Sequence, residues 1–141
     1  MNDLKTITIL FRAKNALDDV IRTQTERFGL NPTEFAALEV LYHKGPLTPN
    51  VIRSKVLIAN SSMSYVIQRL VEKELIERRV SESDKRSVVL HLSAAGHALM
   101  DRVYPDHVAS LRAVLDRLSP TEEKTLQTLL KTIGLPQKTS L

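Results

Sequence analysis

The chain has 141 residues, 20 Lys and Arg against 16 Asp and Glu, and a formal charge of +4. That is one domain's length, and a mildly basic balance that suits a nucleic-acid partner without requiring one. There is no cysteine, which excludes disulfides, thiolate metal sites and a thiol-based redox switch.

Trp is absent, Gly is scarce, and Leu, Val, Ile and Ala dominate the apolar content, so the composition favours a mainly α fold with a small β element. The N-terminal stretch lacks a basic segment followed by a long apolar one, and no apolar run approaches the roughly 20 residues of a membrane span. A cytoplasmic protein with no membrane partner is expected.

Helix starts are written clearly. Asn31-Pro32, Thr48-Pro49 and Ser119-Pro120 each set a capping residue before a proline, whose missing N–H costs nothing at the first helical position. Glu34 and Glu122 follow their caps at the capping-box spacing. The pattern predicts a first helix from about Asp3 to Phe28, closed by Gly29, and a second from Pro32 to about Lys44, closed by Gly45-Pro46.

A short helix is predicted from Pro49 to about Val56 and, after the turn "LIAN", another from about Ser61 to Lys73. Next come the strand "LIERRV", the turn "SESDKRS" and the strand "VVLHLS", in which Val88, Leu90 and Leu92 alternate with Val89, His91 and Ser93. The first strand alternates poorly. Ser93 caps a predicted helix that reaches about Leu118 and is interrupted at Pro105, where the ring removes a backbone bond and should bend the axis. A last helix covers Pro120 to Ile133, followed by the tail "GLPQKTSL".

Two helices in close succession followed by a β-hairpin is the order of a winged helix-turn-helix, whose second helix enters the DNA major groove. At about 100° per residue, Met63, Val66, Ile67 and Leu70 gather on one side of the Ser61–Lys73 helix, while Ser61, Ser64, Tyr65, Gln68 and Arg69 fan over the other. The hydroxyls of Ser61, Ser62 and Ser64 are small enough to let the backbone approach phosphates. An ordinary surface helix with a polar first turn would share that pattern. At the hairpin tip, Asp84-Lys85-Arg86 spaces a carboxylate to brace an arginine that points outward, as a narrow minor groove attracts. A solvated turn uses the same residue types.

From "ANSSMSYVIQRLVEKELIERRV" through "SESDKRSVVLHLSAAGHAL", the chain resembles the MarR family of bacterial transcription regulators. The matching positions are Leu70, Leu75, Asp84, Arg86, Leu92, Ser93 and Gly96. Glu74 stands where the family usually has a helix-capping glycine, which suggests a different cap at that corner. "NPTEFAALEVLYHKG", "DKRSVVLHLSAAG" and "YPDHV" look most like the branch of repressors responding to catechols and hydroquinones, and the lack of cysteine excludes the thiol-switching branch.

The resemblance implies a mainly α fold with a small β wing, about six helices plus a hairpin, in an intertwined homodimer. Residues 3–30 and 94–135 would supply dimerisation helices, and 31–93 a DNA-binding lobe. Carried over, it implies contacts to double-stranded DNA from Ser61, Ser62, Ser64, Tyr65, Gln68 and Arg69, with Arg86 in the minor groove held by Asp84. Lys85 and Arg79 would touch phosphate, joined by Thr48 and Asn50.

Ile7, Leu10, Phe11 and Leu17, with Val108, Leu111, Val114, Leu115, Leu126, Leu129, Leu130 and Ile133, supply apolar faces for dimerisation, or for packing within one subunit. The resemblance further implies a small aromatic ligand between the dimer helices and the lobe, which Phe11, Phe35, Tyr42 and His43 could line, residues that would equally serve as plain core.

No cofactor is expected. The histidines have no pair at the spacing of a helical metal site, His97 and His107 being ten residues apart. Nor does any stretch resemble a nucleophile elbow, a phosphate-binding glycine loop or a paired-carboxylate site, so an enzyme is not expected. Two further readings are a winged-helix module for protein–protein assembly and a small-molecule enzyme on a helical scaffold.

Overall fold

A computed structural model describes residues 3–56 and 62–134. The elements run α1 (Lys5–Glu26), α2 (Pro32–Lys44), α3 (Pro49–Lys55), α4 (Met63–Glu72), β1 (Ile76–Val80), β2 (Val88–Leu92), α5 (Ala94–Leu115) and α6 (Pro120–Gly134).

The caps act as their residue types dictate. Asn31 Oδ1 accepts the Glu34 N–H at 2.8 Å, and Glu34 Oε1 accepts the Asn31 N–H at 2.9 Å, a complete capping box. Ser119 and Glu122 exchange the same pair at 3.1 and 2.8 Å. Thr48 Oγ1 accepts the Val51 N–H at 3.3 Å, and Ser93 Oγ that of Gly96 at 3.0 Å.

Helix α1 is shorter at both ends than predicted, because Asp3 Oδ1 accepts the Lys5 N–H and residues 27–30 leave the helix in tight turns onto the Thr25 and Glu26 carbonyls. Helix α5 runs unbroken through Pro105, contrary to the predicted interruption, and ends at Leu115. Asp116 to Leu118 continue as turns, with Arg117 and Leu118 donating to carbonyls three residues back, a geometry easily read as more helix.

The strands pair antiparallel, with Ile76 opposite Leu92 and Val80 opposite Val88. Leu47, between α2 and α3, bridges Leu90 through two backbone bonds of 3.2 and 2.8 Å, tying the hairpin to the helical lobe. The core draws Phe35 and Leu38 from α2, Ile52 from α3, Val66 and Leu70 from α4, Leu90 from β2, and Met100 and Val103 from α5. It therefore lies within the lobe and on the middle of α5.

The long helices at the chain ends are otherwise. No residue of α6 is buried, and α1 buries only Gln24 and Thr25, near its C-terminus. Leu4 just before α1, Ile7, Ile9 and Phe11 on α1, and Leu126, Leu129, Leu130 and Ile133 on α6 are exposed. At about 1.5–3 kcal/mol for each large apolar side chain buried, these faces leave a sizeable apolar area uncovered among the described residues.

The corner between α4 and β1 is capped in the way Glu74 was expected to prevent. Glu74 takes φ 60, the only non-glycine residue with positive φ among those described. Its N–H binds the Val71 carbonyl at 2.9 Å, and the Leu75 N–H binds that of Leu70 at 3.0 Å, the paired bonds of a Schellman cap. The cap is then held from outside: Ser93 Oγ donates to the Glu74 carbonyl at 2.7 Å, and the Ser93 N–H to the Leu75 carbonyl at 3.0 Å. Those bonds fix the conformation strongly enough for a side chain to be carried there. Gly96 completes the corner, since a Cβ at that position would overlap the Leu75 carbonyl oxygen.

Candidate nucleic-acid interface

Helix α4 divides as its periodicity predicts. Met63, Val66, Ile67 and Leu70 are buried, while Ser62, Ser64, Tyr65, Gln68 and Arg69 are exposed, Tyr65 at 62%. Ser61 lies outside the described residues. Lys73, just past the helix, donates from Nζ to Glu34 Oε2 and to the Gly29 carbonyl, both at 2.8 Å. Because Glu34 is buried and also serves the α2 capping box, this lysine fixes the end of α4 against the start of α2. Sequence reasoning missed Lys73, whose partners lie 39 and 44 residues away.

Thr48 and Asn50 sit at the start of α3. The Thr48 hydroxyl oxygen is engaged in the cap but its proton remains available, and Asn50 Oδ1 accepts from Arg53 Nη1 at 2.8 Å.

Strand alternation divides the basic residues of the hairpin between two faces. Ile76 is buried, so Arg78, two residues on, shares its face and reaches α4, where its Nη2 donates to Gln68 Oε1 at 3.0 Å. Arg79 lies on the opposite face with Glu77, paired at 2.8 Å. The sequence reading named Arg79 and passed over Arg78; strand phase, anchored on Ile76, is the signal that separates them.

The tip is organised by Asp84, though not by the contact first expected. Its Oδ1 accepts the backbone N–H of Arg86 at 3.0 Å and its Oδ2 the hydroxyl of Ser87 at 3.2 Å. The carboxylate thus shapes the turn that carries Arg86 instead of gripping the guanidinium. A two-residue spacing favours such an Asx turn, because the short Asp side chain reaches the nearby N–H first. Lys85 and Arg86 are exposed at the tip.

The four residues expected to line a ligand pocket do not come together as one site. Phe35 lines a cleft of about 280 Å³ with Ile21 of α1, Ala36, Glu39 and Val40 of α2, Lys55 and Val56 at the end of α3, and His107 and Leu111 of α5. Tyr42 and His43 gather elsewhere. The Tyr42 hydroxyl donates to Asp101 Oδ1 at 2.7 Å, its ring lies 5.5 Å from that of His97, and the rings of His43 and Tyr104 meet edge-on at 4.7 Å. Phe11 is exposed on α1. Aromatic residues on one helix face different neighbours once the helix crosses another, which helical spacing alone does not disclose.

His107 was set aside in the sequence and is the polar centre of the cleft. Its ring lies 4.5 Å from that of Phe35, its Nδ1 is 3.1 Å from Gln24 Oε1, and its Nε2 is 3.8 Å from Glu39 Oε2. Burial lowers the imidazole's pKa below its ordinary value, and burial raises that of Glu39, partly offset by His43. Both shifts favour the uncharged forms, which weakens an ion pair across the 3.8 Å contact.

Comparison with known proteins agrees with this arrangement. The MarR family model matches residues 28–87, which span the lobe from the end of α1 to the wing tip. The regulator MhqR of Bacillus subtilis is 37% identical over 96% of this chain and 93% of its own length. Among solved structures, a mutant MarR of E. coli complexed with operator DNA superposes with a TM-score of 0.82 at 20% identity, covering 94% of this chain and 95% of that one. Bordetella bronchiseptica BpsR, described as regulated in DNA binding by 6-hydroxynicotinic acid, gives 0.80 at 21% identity, covering 92% of each chain. The chain belongs to the MarR family of winged helix-turn-helix, DNA-binding transcriptional regulators, in the branch represented by MhqR.

Proposed function

We propose that the protein represses transcription by binding a pseudo-palindromic operator as a homodimer, and that a small phenolic or quinone ligand releases it. The observation that carries this reading is α4 itself: an apolar face wholly buried, a polar face wholly exposed, and an end fixed by Lys73 and joined to the hairpin through Arg78. A helix held that firmly can offer Ser62, Ser64, Tyr65, Gln68 and Arg69 to base edges and phosphates in the major groove. Arg86, on a tip shaped by Asp84, then reaches for the adjacent minor groove, with Lys85, Thr48 and Asn50 as phosphate contacts. Arg79, turned away from α4, contacts phosphate only where the DNA passes the outer face of the wing.

The exposed apolar faces of α1 and α6 support the dimer. In this reading residues 3–30 and 94–135 join two copies and 31–93 form each reading head, so that twofold symmetry sets half-sites about one DNA turn apart. The cleft holding Phe35, Glu39 and His107 lies where α1 and α5 meet α2 and α3. An aromatic ring packed on Phe35, with a hydroxyl on the imidazole, would act on the spacing of the two reading heads. It releases DNA only if it favours the arrangement that does not fit the operator.

Fluorescence anisotropy with duplex from upstream of the gene tests this. Binding should exceed that to a shuffled duplex, fall steeply with salt, and be reversed by a hydroquinone or catechol. Equal affinity for both duplexes would reject the operator and favour an assembly module. Preserved binding under saturating phenol and quinone would reject that ligand class.

A further inference from the structure

Gln68 is an exposed side chain of α4 whose amide is held at both ends. Arg78 Nη2 donates to its Oε1 at 3.0 Å, and its Nε2 donates to Glu72 Oε1 at 3.3 Å. Glu72 in turn stands 3.8 Å from Arg69. An arginine can only donate and a carboxylate can only accept, so turning the amide over would face donor to donor and acceptor to acceptor. The oxygen is thereby held toward β1 and the amino group toward the end of α4.

Each end still has one unused capacity, a second lone pair on Oε1 and a second hydrogen on Nε2. Presented side by side, one acceptor and one donor match the N6 donor and N7 acceptor of adenine in the major groove. Arg78 itself sits in the sheet opposite Leu90, which is buried, and so is anchored to the lobe and not to the tip.

We propose that Arg78 is a positioning residue for sequence reading, which fixes the Gln68 amide in the orientation that recognises adenine. The proposal rests on the DNA-binding reading above. It separates two jobs for the wing: the tip meets the minor groove, while the middle of β1 orders the side chain that reads the major groove. It also separates two neighbouring arginines, since Arg79 on the outer face has no access to Gln68.

The test is selection from a pool of random-sequence duplexes, run on the wild-type chain, Arg78→Ala, Gln68→Ala and the double variant, with the salt dependence of the selected site measured for each. The wild type should select a motif containing an A·T pair in each half-site whose preference disappears in Gln68→Ala. Arg78→Ala should weaken the preference at that same pair by about tenfold and leave the others and the salt slope intact. In the Gln68→Ala background it should add nothing.

An equal loss on every duplex with the salt slope reduced by about one would make Arg78 a phosphate contact and overturn the proposal. So would an unchanged motif accompanied only by a lower melting temperature. A wild-type chain that selects no motif would instead remove the DNA-binding reading on which the proposal stands.

Discussion

Replacing Glu74 with glycine should stabilise this protein, although it deletes a side chain. Glu74 holds φ 60, where Cβ crowding costs about 1–2 kcal/mol for a residue other than glycine. Glycine relieves that strain but adds freedom to the unfolded chain, worth about 0.4–1 kcal/mol. The difference is a gain of about 0–1.6 kcal/mol, centred near 0.8 kcal/mol. In urea, at a slope of about 2 kcal/mol per molar, the central value raises the midpoint by about 0.4 M at fixed protein concentration, which must be held constant if the chain associates. Glu74→Ala is the control: it removes the same exposed carboxylate but keeps the strained backbone, and should stay within about 0.5 kcal/mol of wild type. No gain with glycine, or an equal gain with alanine, would refute the assignment of strain to this corner.

Gly96→Ala acts on the other side of the same corner, driving a methyl group into the Leu75 carbonyl that Ser93 also binds; chemical unfolding should show a loss of about 1–3 kcal/mol. Arg86→Ala should weaken binding to upstream DNA by about 1–3 kcal/mol in anisotropy while sedimentation shows the association state unchanged. For His107, whose folded pKa lies below the ordinary 6.5, the unfolded chain takes up a proton first as pH falls. Stability should therefore drop below about pH 6.5 relative to His107→Gln, and level off once pH is below the lowered folded pKa. Glu39, with a raised pKa, works in the opposite direction above its ordinary 4.5, so the difference between the two chains and not the raw profile is the quantity to measure.

What could be read from the sequence was what local chemistry decides. The caps at Asn31, Thr48, Ser93 and Ser119, the two faces of α4 and the pairing of the hairpin all follow from spacing and residue type. What could not be read depends on contacts between distant segments. Glu74 holds a glycine's conformation because Ser93 secures its carbonyl from 19 residues away. Lys73 finds Glu34 across the lobe, and Phe35 parts company with Tyr42 because different stretches of α5 meet α2: His107 and Leu111, with Ile21 of α1, face Phe35, while Asp101 and His97 face Tyr42. Arg78 and Arg79 fall between these cases. The alternation that distinguishes them is present in the sequence, but its phase becomes certain only when Ile76 is seen buried.

The central claim is that two copies of α4 and the wing read one operator together. Hydroxyl-radical footprinting of the chain on its selected duplex addresses it most directly. The account predicts two protected half-sites related by twofold symmetry, with centres about 10 base pairs apart or a multiple of that spacing, and protection extending into the minor groove beside each that is lost in Arg86→Ala. A single unpaired half-site, or protection independent of sequence, would contradict it.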